Sequence, residues 1–235
     1  MAASWTDAAG TLAADLEGVF GARLLSVVAY GPRLDGSTSA PLTALALVSS
    51  LDVADLGACA RFASAWRRAG IATPLVVPRD EFNASLDVFP LEYGEIIRAH
   101  ARVFGPDPFV GVAIAKSDLR RACETQIKSH LVHLRAGYVE TGGHPGAVAD
   151  LVKRAAPSFA ALLRNVARLH DVETHDRMEA TRYGARAAGL SDDTATVLLA
   201  LERPTALPTA DPARLFPDYL AAVEQVARAV DTWRA

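Results

Sequence analysis

The sequence predicts an α+β protein: a mixed sheet with flanking helices in residues 1–105, followed by an all-α helical bundle in residues 106–235. Three observations carry this expectation. Short apolar runs at 24–30, 42–48 and 73–77 are bounded by glycine and proline, as strands buried in a sheet are. A breaker cluster, Gly105-Pro106-Asp107-Pro108, interrupts the chain near its middle. Beyond it the strand signals stop, and apolar residues recur only at helical spacing.

Taken in order, Trp5, Leu12, Leu16 and Phe20 lie on one face of an opening amphipathic helix, with acidic residues on the other. The run LLSVVAY at 24–30 reads as a strand ending at Gly31-Pro32, and a loop rich in Gly, Ser and Pro leads to a second buried strand, LTALALV, at 42–48. Leu56, Phe62, Ala63 and Trp66 then mark a helix from 52 to 69 that stops at Gly70, and 73–77 is the third strand. Pro78 and the acids that follow open a short helix, and LDVFPLEY at 86–93 reads as a further strand, pushed to an edge or bent by Pro90. Residues 101–104 give a last short strand. In the second half Leu119, Cys123, Ile127, Leu131, Leu134 and Tyr138 mark a long helix ending at Gly142-Gly143. Phe159, Leu162, Leu163, Val166 and Leu169 mark another. Val197, Leu198 and Leu201 mark a shorter one N-capped by Ser191, and Tyr219, Leu220, Val223, Val226, Val230 and Trp233 the last.

Composition narrows the function classes. A net charge of -3 offers no electrostatic footprint for sequence-independent nucleic-acid binding. The first residues lack the basic start and apolar run of a secretory signal, and no stretch has the apolar length of a membrane span, so a cytoplasmic protein without membrane attachment is expected. Cys59 and Cys123 lack CxxC spacing and read as buried thiols.

A strand, a glycine turn, and a second buried strand followed by a helix resemble the opening of the minimal nucleotidyltransferase fold, carried here by Ala29-Tyr30-Gly31-Pro32 and by Asp87-Val88-Phe89-Pro90-Leu91-Glu92-Tyr93. In that family the turn is Gly-Ser, and the next strand carries Asp-x-Asp or Asp-x-Glu. The small turn lets backbone N–H groups approach nucleotide phosphates, two carboxylates hold the divalent ions, and a third comes from a later strand. This chain departs from the pattern twice. Proline stands in place of serine after Gly31, removing a backbone donor and a hydroxyl. The window for the paired carboxylates reads Leu42-Thr43-Ala44-Leu45-Ala46, with Asp35 inside the turn and Asp52 beyond the strand as the nearest acids.

The resemblance therefore implies a catalytically silent nucleotidyltransferase-like protein with a binding, regulatory or assembly role. Asp87 and Glu92 are the carboxylates left to an atypical nucleotidyltransferase. No cofactor is expected, with magnesium required only in that atypical case. The partners expected are a nucleotide or other anionic small molecule and a protein partner or second copy.

Two further patterns fall in the helical half. Arg164-Asn165 with His170 resembles the Arg-polar-spacer-His motif of the HEPN helical family, whose members accompany minimal nucleotidyltransferases and sometimes cleave RNA. Histidine would act there as general acid or base and arginine would stabilise phosphorane-like charge. Six residues advance a helix by about 600°, which leaves the two side chains roughly 120° apart. Lys116, Arg120, Lys128 and Arg135 lie along the long helix, with Glu124 spaced to pair with two of them. These cations, with Gly31, are the candidates for holding an anionic ligand. His130 and His133 lack the HExxH arrangement and a third ligand, so no metal site is expected.

Overall fold

The computed structural model of the chain describes residues 5–34, 40–172, 174, 176–202 and 215–234, at 198, 199, 201 and 202 by backbone alone. The chain divides into two compact units, Met1–Ile114 and Ala115–Ala235.

In the first unit, helix α1 (Trp5–Phe20) leads through a 3-10 turn into strand β1 (Leu24–Tyr30). Strand β2 (Thr43–Val48) follows, then helices α2 (Val53–Ala60) and α3 (Ala63–Arg68), strand β3 (Leu75–Pro78), helices α4 (Arg79–Ala84) and α5 (Pro90–Arg98), and strand β4 (His100–Phe104). The sheet order is β3-β2-β1-β4. β1 is antiparallel to β2 and to β4, while β2 runs parallel to β3, so the sheet is mixed. The register sets Tyr30 opposite Thr43 on one side and opposite His100 on the other.

Alternation along the strands divides the unit into two apolar layers. One face of β2 sends Ala44, Ala46 and Val48 under α1 and α3, against Leu12, Leu16, Phe20 and Trp66. The other sends Leu45 and Leu47 under Phe82 of α4, Tyr93 and Ile96 of α5, and Phe109. The Trp66 indole N–H donates to Asp15 across the first layer (2.8 Å), and Arg23 grips Asp55 at the start of α2 through both guanidinium nitrogens (2.7 and 2.6 Å). Asp52 and Asp55 form the capping box of α2.

Two expectations are corrected here. The single helix at 52–69 is two, α2 and α3, with Arg61 and Phe62 between them. The strand expected at 86–93 is a turn followed by α5. Pro90 occupies the first helical position, where its fixed φ and missing N–H suit a helix start. Pro90, Tyr93, Gly94 and Ile96 make the buried face, a helical spacing that an alternating reading of LDVFPLEY cuts off too early.

The segment after β4 belongs to the first unit. Gly105 has φ 71°, and a Cβ there would lie 2.3 Å from the Leu25 carbonyl oxygen. The Ser26 hydroxyl donates to the Pro106 carbonyl (2.9 Å), and Phe109 is buried in the second layer.

The second unit comprises α6 (Lys116–Glu140), α7 (Pro145–Leu169), α8 (Arg177–Ala187), α9 (Asp192–Glu202) and α10 (Phe216–Thr232). Its core takes Cys123, Ile127 and Leu134 from α6, Phe159, Leu163 and Val166 from α7, and Tyr219, Val223 and Val226 from α10. Ser191 accepts from the Thr194 amide (3.2 Å) at the start of α9, while the Leu198 and Leu201 side chains lie outside the described residues. α8 was not anticipated from the sequence. It buries Ala180, Thr181, Gly184 and Ala185, and a Cβ on Gly184 would sit 1.8 Å from the Leu163 carbonyl oxygen of α7. Among the described residues no helix is long and apolar enough to cross a membrane.

Candidate functional site

The glycine turn at the end of β1 is tightly built. Gly31 has φ 85°, a left-handed conformation that an L side chain rarely adopts, and a Cβ there would meet the Thr43 hydroxyl oxygen at 2.8 Å. That hydroxyl donates to the Tyr30 carbonyl (2.5 Å), and the Leu34 amide donates to the Gly31 carbonyl (3.0 Å). Arg33 donates to the Ala40 carbonyl (3.0 Å), closing the loop whose middle residues, Asp35 among them, lie outside the described ones. Burial raises the Tyr30 hydroxyl above its usual pKa.

Carboxylates holding divalent ions beside this turn would need alternate positions on β2, either 43 and 45 or 44 and 46. The first pair is a threonine whose hydroxyl is engaged by Tyr30 and a leucine that is 1% exposed. The second is two alanines at 2% and 0% exposure, facing the other layer. Neither supplies a carboxylate. Magnesium binds through several hard oxygens gathered at one place, and the residues of β2 do not fit that requirement. Among the described residues there is no group of three or more His, Cys, Asp or Glu that could hold a metal ion.

Asp87 lies in the turn before α5, and Glu92 in the first turn of that helix. Both are exposed. Sequence reasoning placed them on a strand; the structure gives them none from which to project.

His100 escaped the sequence analysis. Only the register of β4 reveals it, opposite Tyr30. Its Nδ1 lies 3.2 and 3.1 Å from the carbonyls of Ile96 and Ile97, its Nε2 lies 3.4 Å from Asp107, and its ring stands edge-on to Phe109. These contacts tie β4 to α5 and to the segment after it.

In the helical unit the four cations proposed for an anionic ligand are all engaged by acids of their own unit. Lys116 pairs with Asp171, and Arg135 with Glu224 (2.7 Å). Arg120 contacts Glu124 (3.2 Å) and donates to the Asp231 carbonyl (3.2 Å), near the C-terminus of α10 where a positive charge is favourable. Lys128 bridges Glu124 (2.5 Å) and Asp231 (3.0 Å), and its pKa is raised by the hydrogen bond to Glu124 first and by that to Asp231 second.

Arg164 and His170 differ in surroundings. Arg164 is 4% exposed and donates to the Thr181 hydroxyl (3.4 Å). His170 is exposed at the C-terminal cap of α7, edge-on to Trp233 at 6.4 Å.

No protein-family model matches the sequence, and no curated protein matches it. Among solved structures the chain is similar to spectinomycin adenyltransferase AAD(9) from Enterococcus faecialis, in a structure with ATP and spectinomycin. The likeness spans 94% of this chain and 98% of that one, at 12% identity and a TM-score of 0.58. It is a likeness of fold, and this chain has an α+β nucleotidyltransferase-like fold with a helical C-terminal region.

Proposed function

We propose that this chain is a nucleotidyltransferase-like protein that does not transfer nucleotides and acts by binding, in a regulatory or assembly role. The observation that carries this reading is the character of β2. Every position from 44 to 48 is apolar and at most 2% exposed, and Thr43 spends its hydroxyl on the neighbouring strand. Apolar side chains packed on both faces of a strand need no role beyond the core. The ligand class that suits the retained glycine turn is a nucleotide or another anionic small molecule held without a bridging metal, since the Gly31 backbone is preserved while the carboxylate positions are filled. The similar structure, which holds ATP and spectinomycin, supports that class. A protein partner or a second copy of the chain fits the same role.

The competing reading is an atypical transferase working through Asp87 and Glu92, and it would require magnesium. A pyrophosphate-release assay separates the two. It would use each nucleoside triphosphate with magnesium or manganese, with and without spectinomycin as acceptor. The expected result is release at the level of a protein-free control. Release above that level, lost in Asp87→Ala or Glu92→Ala, would establish the transferase reading instead.

A further inference from the structure

We infer that the helical unit contains an acid-sensitive joint at His130, where α6, α7 and α10 meet, and that protonation of this one imidazole loosens the docking of α10. The ring lies nearly parallel to Phe159 of α7, with centroids 5.7 Å apart and planes at 19°. Phe159 is fully buried and Tyr219 of α10 is 3% exposed, so the imidazole is wedged against apolar surface on two sides. Its Nε2 lies 3.1 Å from the Tyr219 hydroxyl and its Nδ1 3.3 Å from the Ser158 hydroxyl.

The hydrogen bonds assign a protonation state. Ser158 donates its own hydrogen to the Ala155 carbonyl (2.9 Å), which leaves its oxygen to accept from Nδ1–H. Nε2 then carries a lone pair and accepts from the Tyr219 hydroxyl. The neutral imidazole uses every hydrogen. Protonation at Nε2 turns that acceptor into a donor, so the Tyr219 hydrogen must swing away into a buried site. A positive charge is also placed on a half-buried ring packed against two aromatic side chains.

The side chains in direct contact with the ring carry no negative charge to offset it. On its own helix the titratable neighbour is His133, whose charge opposes a second one. α7 presents Ser158 and Phe159, and a groove beside His133 is lined by Arg154 together with the acids Asp150 and Glu140. α10 presents Tyr219, which borders a cavity also lined by the acids Asp218 and Asp193, and Glu224 is held by Arg135. Among the described residues no carboxylate forms an ion pair with His130. Burial accordingly lowers the pKa of the ring, with His133 the second cause.

The sign of the pH dependence follows. The folded unit holds His130 neutral to lower pH than the unfolded chain does, whose imidazole takes its proton near pH 6.5. Stability is complete above about pH 6.5 and falls as pH drops through the interval down to the folded pKa, by up to about tenfold in the folding equilibrium per pH unit.

The test is amide hydrogen exchange on the full-length chain, corrected for intrinsic exchange rates and read on the amides of α10 between pH 7.5 and 5. Protection in the wild type is expected to hold above pH 6.5 and then to fall severalfold per pH unit. In His130→Gln it is expected to stay flat across the window, whereas His133→Gln should keep the fall. A wild-type protection that does not change, or an unchanged fall in His130→Gln, would overturn the inference. Should His130→Gln fail to fold, an NMR titration of the His130 ring in the wild type decides the matter. A ring titrating below about 6.5 supports the joint, and one titrating at or above that value removes it.

Discussion

At the scale of single residues, the Gly31 and Thr43 pair holds the candidate site in its present form. Gly31 occupies a left-handed backbone conformation in the space that a Cβ would contest with the Thr43 hydroxyl, and that hydroxyl joins β2 to the end of β1. Gly31→Ala therefore meets two penalties: the left-handed conformation, about 1 kcal/mol, and displacement of the Thr43 hydrogen bond, about another 1 kcal/mol. Urea unfolding should show a loss of about 1–2 kcal/mol. In a Thr43→Ala background the hydroxyl is gone and the second penalty with it, so the same glycine substitution should cost about half as much. Equal costs in both backgrounds would mean that the two residues do not act together. The glycine itself was legible in the sequence, as a turn signal between two apolar runs. Its contact with Thr43 was not, because it depends on the register that sets Tyr30 opposite Thr43.

Among the elements, the helix that the sequence concealed is the one that packs most closely. α8 buries Ala180, Thr181, Gly184 and Ala185, a stripe of small side chains that carries little hydrophobic signal, and for that reason its periodicity escapes a search for large apolar residues. The small side chains let its backbone approach α7, and Gly184 faces the Leu163 carbonyl with no room for a methyl group. Gly184→Ala should separate the two helices and destabilise the second unit by about 3 kcal/mol, read as a lowered midpoint in chemical denaturation. A change under about 0.5 kcal/mol, the size of an ordinary surface substitution, would contradict this packing. α5 is the opposite case. LDVFPLEY shows apolar residues in plenty, but Pro90 reads equally well as a bent strand or as the first residue of a helix, and the buried positions at Tyr93, Gly94 and Ile96 decide for the helix. That decision moves Asp87 and Glu92 from a strand to an exposed turn and helix start. The strands at 24–30 and 43–48 and the long helix α6 were legible because each is strongly apolar on its buried face and has glycine or proline near at least one end.

For the whole molecule, the fold has the nucleotidyltransferase-like arrangement, and strand β2, where the proposed function looks for metal-holding carboxylates, is apolar and buried from Ala44 to Val48. The apolar character of LTALALV was legible in the sequence, since residue type needs no geometry. The pairing of Lys116, Arg120, Lys128 and Arg135 with acids of the helical unit was legible only in part: Glu124 stands at helical spacing, but Asp171, Glu224 and Asp231 come from distant parts of the chain. The central claim is that no metal-nucleotide site operates beside Gly31, and its most direct test is the thermal midpoint of the full chain with magnesium and about 1 mM nucleoside triphosphate. A site with a dissociation constant near 10 μM would add roughly 2.7 kcal/mol to the folded state at that concentration. For a chain of this size that corresponds to a rise of roughly 5 to 10 °C. The account predicts that the midpoint with nucleotide is the same, to within about 1 °C, with magnesium and with EDTA, and a rise of about 5 °C or more that EDTA abolishes would contradict it.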